Sequence, residues 1–397
     1  MNPLLISGFG TSINVDKRRL IVTNKLEGSR AEFYPHQIQY DSIIIDGHTG
    51  NITFEAMRWL TKHDIPITML NWNGNLLSTT LPKEPASAKL RVKQYQKYLD
   101  GRIKYQIASV ILDEKIKKSF DLLLKLTKYH TVLDKSEIER SFNNIKLKFR
   151  HSSELLTYEG NIAIFYWDQL SKVFNGLAPE FAFSNRNGRR NSWNTNASDE
   201  INAMLNYGYA IMESEVRRTI NSIGFDSSIG FLHELKDGRD SLVYDVQELY
   251  RWLVDLSVIQ LLEEKKLKKS DFIVTENYNI RLKPTTAKRL IEKIKLNFNA
   301  RTEYKGLNYS YQNILYENVR NLANNIIDKQ RTLTFNIPEI HVKREDDAEI
   351  RDRILSITPE ERKELGSRRN TLWYMKKNIK NGKKIKIYNK VMDKIVD

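Results

Sequence analysis

Residues 81–89, LPKEPASAK, set two prolines among small and polar residues, a combination that neither a helix nor a strand runs through. The hydrophobic spacing changes across it. Upstream, short apolar runs alternate with turn signals in INVDKRRLIVT, EFYPHQIQYDSIIIDG and IPITMLNWNG, and ITFEAMRWLTKH carries helical spacing, which predicts a β-rich domain with one helix over residues 1–85. Downstream, from Arg91 to about Arg331, apolar residues recur at helical spacing in RVKQYQKYLDGRIKYQIASVILDEKIKKSFDLLLKLTKYH, SSELLTYEGNIAIFYWDQLSKVF, DEINAMLNYGYAIMESEVRRTINSI and SLVYDVQELYRWLVDLSVIQLLEEKKL. A mainly α domain is therefore expected over residues 89–335. FAFSNRNGRRNSWNTNAS, between two of those helices, is too irregular for an element and reads as a basic surface loop. After FNIPEIHVKRED, where Pro338 and mixed charges read as a linker, a third unit is expected over 345–397. The fold class expected is α+β: a small N-terminal β-rich domain, a larger all-α catalytic domain and a C-terminal helix-turn-helix domain.

The 64 Lys and Arg against 49 Asp and Glu give a formal charge of +15, which favours a polyanionic partner, nucleic acid first. No run of 18 apolar residues occurs and the start, MNPLLISGFGTSINVDKRRL, lacks a leader pattern, so an unexported, cytoplasmic protein without a membrane partner is expected. The absence of cysteine excludes disulfides, thiolate zinc sites and cysteine nucleophiles, so any metal has to be held by histidine and carboxylates. GxxxxGK[ST], HExxH and GxSxG are also absent, which argues against a nucleotide cofactor, a zinc protease or a familiar serine hydrolase.

Four features stand out against that background. Glu159 lies in an apolar stripe with Leu155, Leu156, Ile162, Ala163 and Tyr166, where a carboxylate needs an ion pair or a metal. Asp245 and Glu248 are three apart on a helix beginning near Ser241, and Trp252 and Asp255 continue that face; a solvated face is the alternative. His233 stands in a loop or helix end just before this acidic helix. Alone it has an ordinary structural explanation, but one imidazole with two or three carboxylates suits Mn²⁺ or Mg²⁺. In the tail, Thr358, Pro359 and Glu361 form a capping-box pattern, the helix they start stops at Gly366, and a second helix containing RRNTLWYMKKNI follows. Two short helices around a glycine turn match a helix-turn-helix, while a basic hairpin that only packs is the alternative.

YEGNIAIFYW, NAMLNYGYAIMESEV, SSIGFLHE and RDSLVYDVQELYR, in this order, resemble the motifs of the CRISPR-associated integrases that insert spacers into repeat arrays, and IDGHTGNITFEAMRWLTKHDIPITMLNWNG resembles that family's β domain. The resemblance spans about residues 1–335. It implies that Glu159, His233 and Glu248 bind a divalent metal with Asp245 beside them, these four being the catalytic set; the position of Glu248 is often aspartate in that family. The metal would polarise a phosphodiester attacked in line by a DNA 3′-hydroxyl, without ATP. Asn202 and Tyr209 would support the site, and Arg186, Arg189 and Arg190 would hold backbone phosphates. The added tail is similar to that of casposases, related integrases of mobile elements, which implies joining of terminal inverted repeat ends to a target duplex. Arg368, Arg369, Asn370, Thr371, Trp373, Tyr374, Lys376 and Lys377 are the expected DNA contacts there. Double-stranded DNA, as element ends and target, is the expected partner, and two-ended insertion calls for a homodimer or higher homo-oligomer. A spacer integrase working with a small partner subunit, and a non-catalytic DNA-binding protein, are the rival readings.

Overall fold

Two four-stranded sheets share one helix at the N-terminus of the computed structural model, which describes residues 1–8, 10–24, 28–47, 49–71, 74–81, 87–148, 155–186, 197, 199–275, 279–339, 354–364 and 369–381, without the side chains of 145–148, 156, 363, 364, 369 and 371. The strands are β1 (Pro3–Ile6), β2 (Thr11–Asp16), β3 (Arg19–Asn24), β4 (Ser29–Phe33), β5 (Ser42–Ile45), β6 (Gly50–Ile52), β7 (Ile67–Leu70) and β8 (Leu76–Thr79). One sheet has the order β1-β5-β7-β8, with β8 antiparallel to its neighbour, and the other the order β4-β3-β2-β6. Helix α1 (Phe54–Lys62) starts where the Thr53 hydroxyl accepts the Ala56 N–H. It buries Ala56, Trp59 and Leu60 in one core with Ile6, Ile43 and Ile67 of the first sheet and Ile13 and Leu20 of the second. Each such aliphatic side chain contributes about 1.5–3 kcal/mol on burial, which is what ties the sheets together.

The helical body contains α2 (Ala88–Leu99), α3 (Gly101–Leu126), α4 (Lys135–Lys148), α5 (Leu155–Leu177), α6 (Glu200–Ile223), α7 (Ser241–Glu248), α8 (Arg251–Glu263), α9 (Pro284–Asn299) and α10 (Tyr311–Ile326). Helix α6 is its axis: it is buried along most of its length and touches α7, α8, α9 and α10. Asp199 caps its start by accepting the Asn202 N–H at 2.7 Å, and Gly224, at φ +93°, ends it in the left-handed conformation. Gly208 permits the close approach of α8, because a Cβ there would lie 2.5 Å from Val254 Cγ1.

Four details depart from the hydrophobic spacing. The helix expected from Arg91 onward divides at Asp100, whose side chain accepts the N–H groups of Arg102 and Ile103 and so caps a new helix. The helix expected from Ser241 likewise divides between α7 and α8 at Leu249 and Tyr250. Two short hairpins, β9 (Phe272–Val274) with β10 (Ile280–Leu282) and β11 (Arg301–Tyr304) with β12 (Leu307–Ser310), interrupt the helical region. The stretch around Pro338, expected as a linker, is seated in the body: Leu333, Phe335 and Ile337 are buried, Lys118 Nζ donates to the Pro338 carbonyl at 3.0 Å, and the Tyr311 hydroxyl donates to that of Glu339 at 2.8 Å.

The chain divides into compact units Met1–Ile340 and His341–Asp397. In the second, α11 (Pro359–Glu364) begins with a reciprocal capping box, the Thr358 N–H donating to Glu361 Oε2 at 3.0 Å and the Glu361 N–H to Thr358 Oγ1 at 3.2 Å. Helix α12 (Arg369–Lys380) buries Leu372 and Met375, and Ile354 and Ile357 are buried with them. The expected turn at residues 365–368 lies outside the described residues. No helix among the described residues is long and apolar enough to cross a membrane.

Candidate metal centre and adjoining groove

One turn into α5, Glu159 faces α3 and the end of α7, so three stretches far apart in sequence converge. One carboxylate oxygen each from Glu159 and Glu248 and one ring nitrogen of His233 lie within 4.8 Å of one another. The centre is built around Asp245, which is fully buried on α7. Its carboxylate accepts the backbone N–H groups of Phe231, of Leu232 at 3.0 Å and of His233 at 2.8 Å, so it folds the 231–233 loop onto the helix. Asp245 Oδ1 also lies 2.8 Å from His233 Nδ1, which leaves Nε2 as the nitrogen free to ligate. Gly230 permits this approach, since a Cβ there would lie 2.7 Å from the Ser241 carbonyl carbon and 2.8 Å from Asp245 Oδ2.

Cations balance the carboxylates. Lys115 Nζ on α3 lies 2.6 Å from Glu159 Oε1 and 2.8 Å from Glu248 Oε2, and Arg251 donates to Glu248 Oε1 at 3.0 Å. Burial works against an ionised Glu248, but Arg251, Lys115 and His233 outweigh it and hold the carboxyl at about 2. The Arg251 guanidinium, which burial alone would push toward neutrality, is held charged by Glu248, Tyr209 and Asp255. The ion pair that the Glu159 stripe allowed as an alternative to a metal is thus present. The donor set nevertheless fits a divalent cation: it is one imidazole and two carboxylates whose ligand atoms lie within 4.8 Å of one another.

Beside the centre lies a cavity of about 670 Å³, walled by β8 on one side and by Arg186, Tyr209, Arg217, Tyr244, Gln247 and Arg251 on the other. Arg251 borders both, stacking on the Tyr209 ring 4.3 Å from its centroid. Behind that ring, the Tyr209 and Tyr166 hydroxyls donate to Asp255, so the acid that the i,i+3 pattern placed beside Trp252 is enclosed and serves the wall. Burial raises its carboxyl.

Arg186, expected as a phosphate-gripping residue of an open loop, is instead fastened: it donates to Asn202 Oδ1 at 2.7 Å and Asn206 Oδ1 at 2.6 Å, with its guanidinium 5.2 Å from the Tyr209 centroid. Burial lowers its proton affinity, and the group forms cavity wall. Asn202 is the anchor for that arrangement. Arg189, Arg190 and Arg368 lie outside the described residues, as do the side chains of Arg369 and Thr371. In α12, Asn370, Trp373, Tyr374 and Lys377 are exposed, with the Lys377 ammonium 4.8 Å from the Trp373 centroid. Lys376 is half-buried, and its ammonium donates to the Leu355 and Ile357 carbonyls at 2.9 and 2.8 Å, which ties α12 to the segment before α11. Lys115 and Arg251 escape the sequence patterns. Lys115 is one of several lysines in ILDEKIKKSF, and Arg251 is hidden by the helix break that turns it toward Glu248.

An imidazole and two carboxylates backed by cations, next to a groove walled by arginines and tyrosines, define a site suited to phosphodiester chemistry. The profile of the family CRISPR associated protein Cas1 matches residues 4–295, and the chain belongs to that family. It is 31% identical over 310 residues to a CRISPR-associated endonuclease Cas1 of Francisella tularensis subsp. novicida, covering 75% of this chain and 91% of that one. A CRISPR-associated endonuclease Cas1 of Archaeoglobus fulgidus is 27% identical, covering 81% and 95%. Among solved structures, a casposase bound to integration product is 36% identical with a TM-score of 0.79, covering 90% of this chain and 99% of that one. A Cas1 protein from Thermotoga maritima, 19% identical with a TM-score of 0.68, shares the fold.

Proposed function

We propose that the chain is a divalent-metal-dependent DNA integrase of the casposase type, which joins 3′-hydroxyl ends of a mobile element to a target duplex. The observation that carries this reading is the convergence of Glu159, His233 and Glu248, drawn from three separate stretches of the chain, with ligand atoms within 4.8 Å of one another. The similarity to a casposase over nine-tenths of the chain supports it. Glu159, His233 and Glu248 would hold Mn²⁺ or Mg²⁺, which when bound polarises a phosphodiester and favours in-line attack on phosphorus. Asp245 is a positioning residue: it fixes the His233 ring through Nδ1 and the loop through three N–H groups. Arg251 keeps Glu248 ionised and faces the groove, where with Arg217 it would draw in backbone phosphate while Tyr244 offers a surface for a base. The attacking 3′-oxygen forms one P–O bond as the target's own 3′-oxygen leaves and takes up a proton, so bond count is conserved and no nucleotide cofactor is needed.

The tail would add duplex recognition, with Asn370, Trp373, Tyr374 and Lys377 toward DNA as in a helix-turn-helix; Arg189, Arg190, Arg368, Arg369 and Thr371 extend the proposed contact set. Two copies or more would act together, since each inserts one end. The rival reading, a spacer integrase acting with a small partner subunit, is favoured by the Francisella and Archaeoglobus relatives, which are CRISPR-associated Cas1 endonucleases by name.

Purified protein incubated with a labelled duplex bearing a free 3′-hydroxyl and a supercoiled plasmid tests the proposal. Labelled plasmid is expected with Mn²⁺ or Mg²⁺ and neither with chelator nor with Glu159→Gln or His233→Ala. Tight DNA binding without joining under any divalent metal would overturn it in favour of a partner-dependent or non-catalytic protein.

A further inference from the structure

Lys115 touches both carboxylates of the centre, and no pattern in the sequence singles it out. Its ammonium lies 2.6 Å from Glu159 Oε1 and 2.8 Å from Glu248 Oε2. The stem comes from α3, which packs against both α5 and α7 and buries Ile111 and Leu112 one turn earlier, so the charge is delivered from a fixed base. Two carboxylates aimed at one point repel unless a cation lies between them. With the carboxylates of Glu159, Glu248 and Asp245 on one side and Lys115 and Arg251 on the other, the cations offset all but one of the negative charges here.

A divalent cation using the same oxygens would upset that balance. An ammonium and a dication on Glu159 Oε1 and Glu248 Oε2 compete for the same oxygens and repel each other, so ion binding favours withdrawal of Lys115 and leaves the centre with excess positive charge that a phosphodiester neutralises. We infer that Lys115 is a built-in stand-in for the divalent cation: it holds Glu159 and Glu248 together in the cation-free protein, competes with the incoming ion, and once displaced becomes a counter-charge for a DNA phosphate. The inference rests on the metal-centre reading above. It differs from an ordinary structural ion pair in the sign of one effect. Loss of a merely structural lysine disorganises the carboxylates and weakens metal binding, whereas loss of a competitor strengthens it.

Calorimetric titration of the full chain with Mn²⁺ in the absence of DNA, comparing wild type, Lys115→Met, Lys115→Gln and Lys115→Arg, reads that sign. Lys115→Met keeps the stem and is expected to bind Mn²⁺ about tenfold more tightly, the factor equivalent to one charge-assisted hydrogen bond. It should also melt at a lower temperature in chelator, with the deficit closing as Mn²⁺ saturates. Lys115→Arg should bind no more tightly than wild type, and Lys115→Gln reads the same sign should the methionine variant fail to fold. Adding Glu159→Gln to Lys115→Met should abolish the gain, which locates the ion. Equal or weaker binding by both neutral variants, with wild type binding Mn²⁺, overturns the stand-in role and leaves the metal centre intact. Binding by neither wild type nor neutral variants overturns both.

Discussion

Replacing Asp245 with asparagine preserves size and shape but removes an acceptor where four donors converge. Backbone N–H groups of Phe231, Leu232 and His233 and the His233 ring N–H all end on this carboxylate, in a side chain with 0% exposure. An amide oxygen can serve one pair of these donors; the amide nitrogen then faces the other pair. Each buried donor left without an acceptor costs about 1–3 kcal/mol, and the surviving bonds lose charge assistance, so a loss of roughly 3–5 kcal/mol is expected after local relaxation. Denaturant unfolding of the full chain in chelator measures it. The same substitution frees the His233 ring to turn, and metal affinity should fall by roughly 10–100-fold, as when other partners behind a ligating histidine are removed. An unfolding midpoint and a Mn²⁺ affinity both indistinguishable from wild type would refute the assignment of Asp245 as the group that builds the loop.

Gly230→Ala drives a Cβ into the Ser241 backbone and Asp245, so it should lower the melting temperature and weaken Mn²⁺ binding; a variant that melts and binds like wild type would show that the loop does not need this approach. Glu248 is held at about 2 against an ordinary 4.5. Its folded value is depressed, so its stabilisation is complete above about pH 4.5 and lost as the pH falls toward 2, on the order of 3 kcal/mol. Wild type should therefore lose stability through that window more steeply than Glu248→Gln, and parallel acid unfolding curves would contradict the burial-with-cations account. In the tail, Lys377→Ala should reduce the salt dependence of DNA binding by about one counterion, while Lys376→Met should destabilise the tail and leave that slope unchanged. Binding measured across a salt series separates them, and identical slopes for wild type and Lys377→Ala would remove Lys377 from the DNA surface.

The β-rich character of the first region and the helices α1, α5 and α6 follow from hydrophobic spacing, because local period decides them, whereas the order of strands in the two sheets is set by long-range pairing. The breaks at Asp100 and at Leu249–Tyr250 do not, since an apolar stripe continues across both. Asp245 and Glu248 illustrate the limit for the site. Their i,i+3 spacing places them on one side of α7, but only the packed structure shows one carboxylate spent on backbone N–H groups and the other meeting Lys115 beside Glu159. Arg186 reads as a surface arginine because its loop is polar; Asn202 and Asn206, a turn apart on α6, draw it inward. The Thr358 and Glu361 capping box was fully legible, because both of its hydrogen bonds span three residues. Lys115 was not, since nothing local distinguishes it from the lysines around it.

The three ligand candidates come from α5, from the loop after Gly230 and from α7, and no two adjoining segments contain them all. An emerging chain that has made α5 still lacks His233 and Glu248, and a chain complete in length but unpacked has no gathered centre. On the proposed function, joining chemistry would therefore be absent from a fragment, a nascent chain or a misfolded product. Completion of the fold would then act as the switch that turns the chemistry on, with no separate regulatory segment needed for that step.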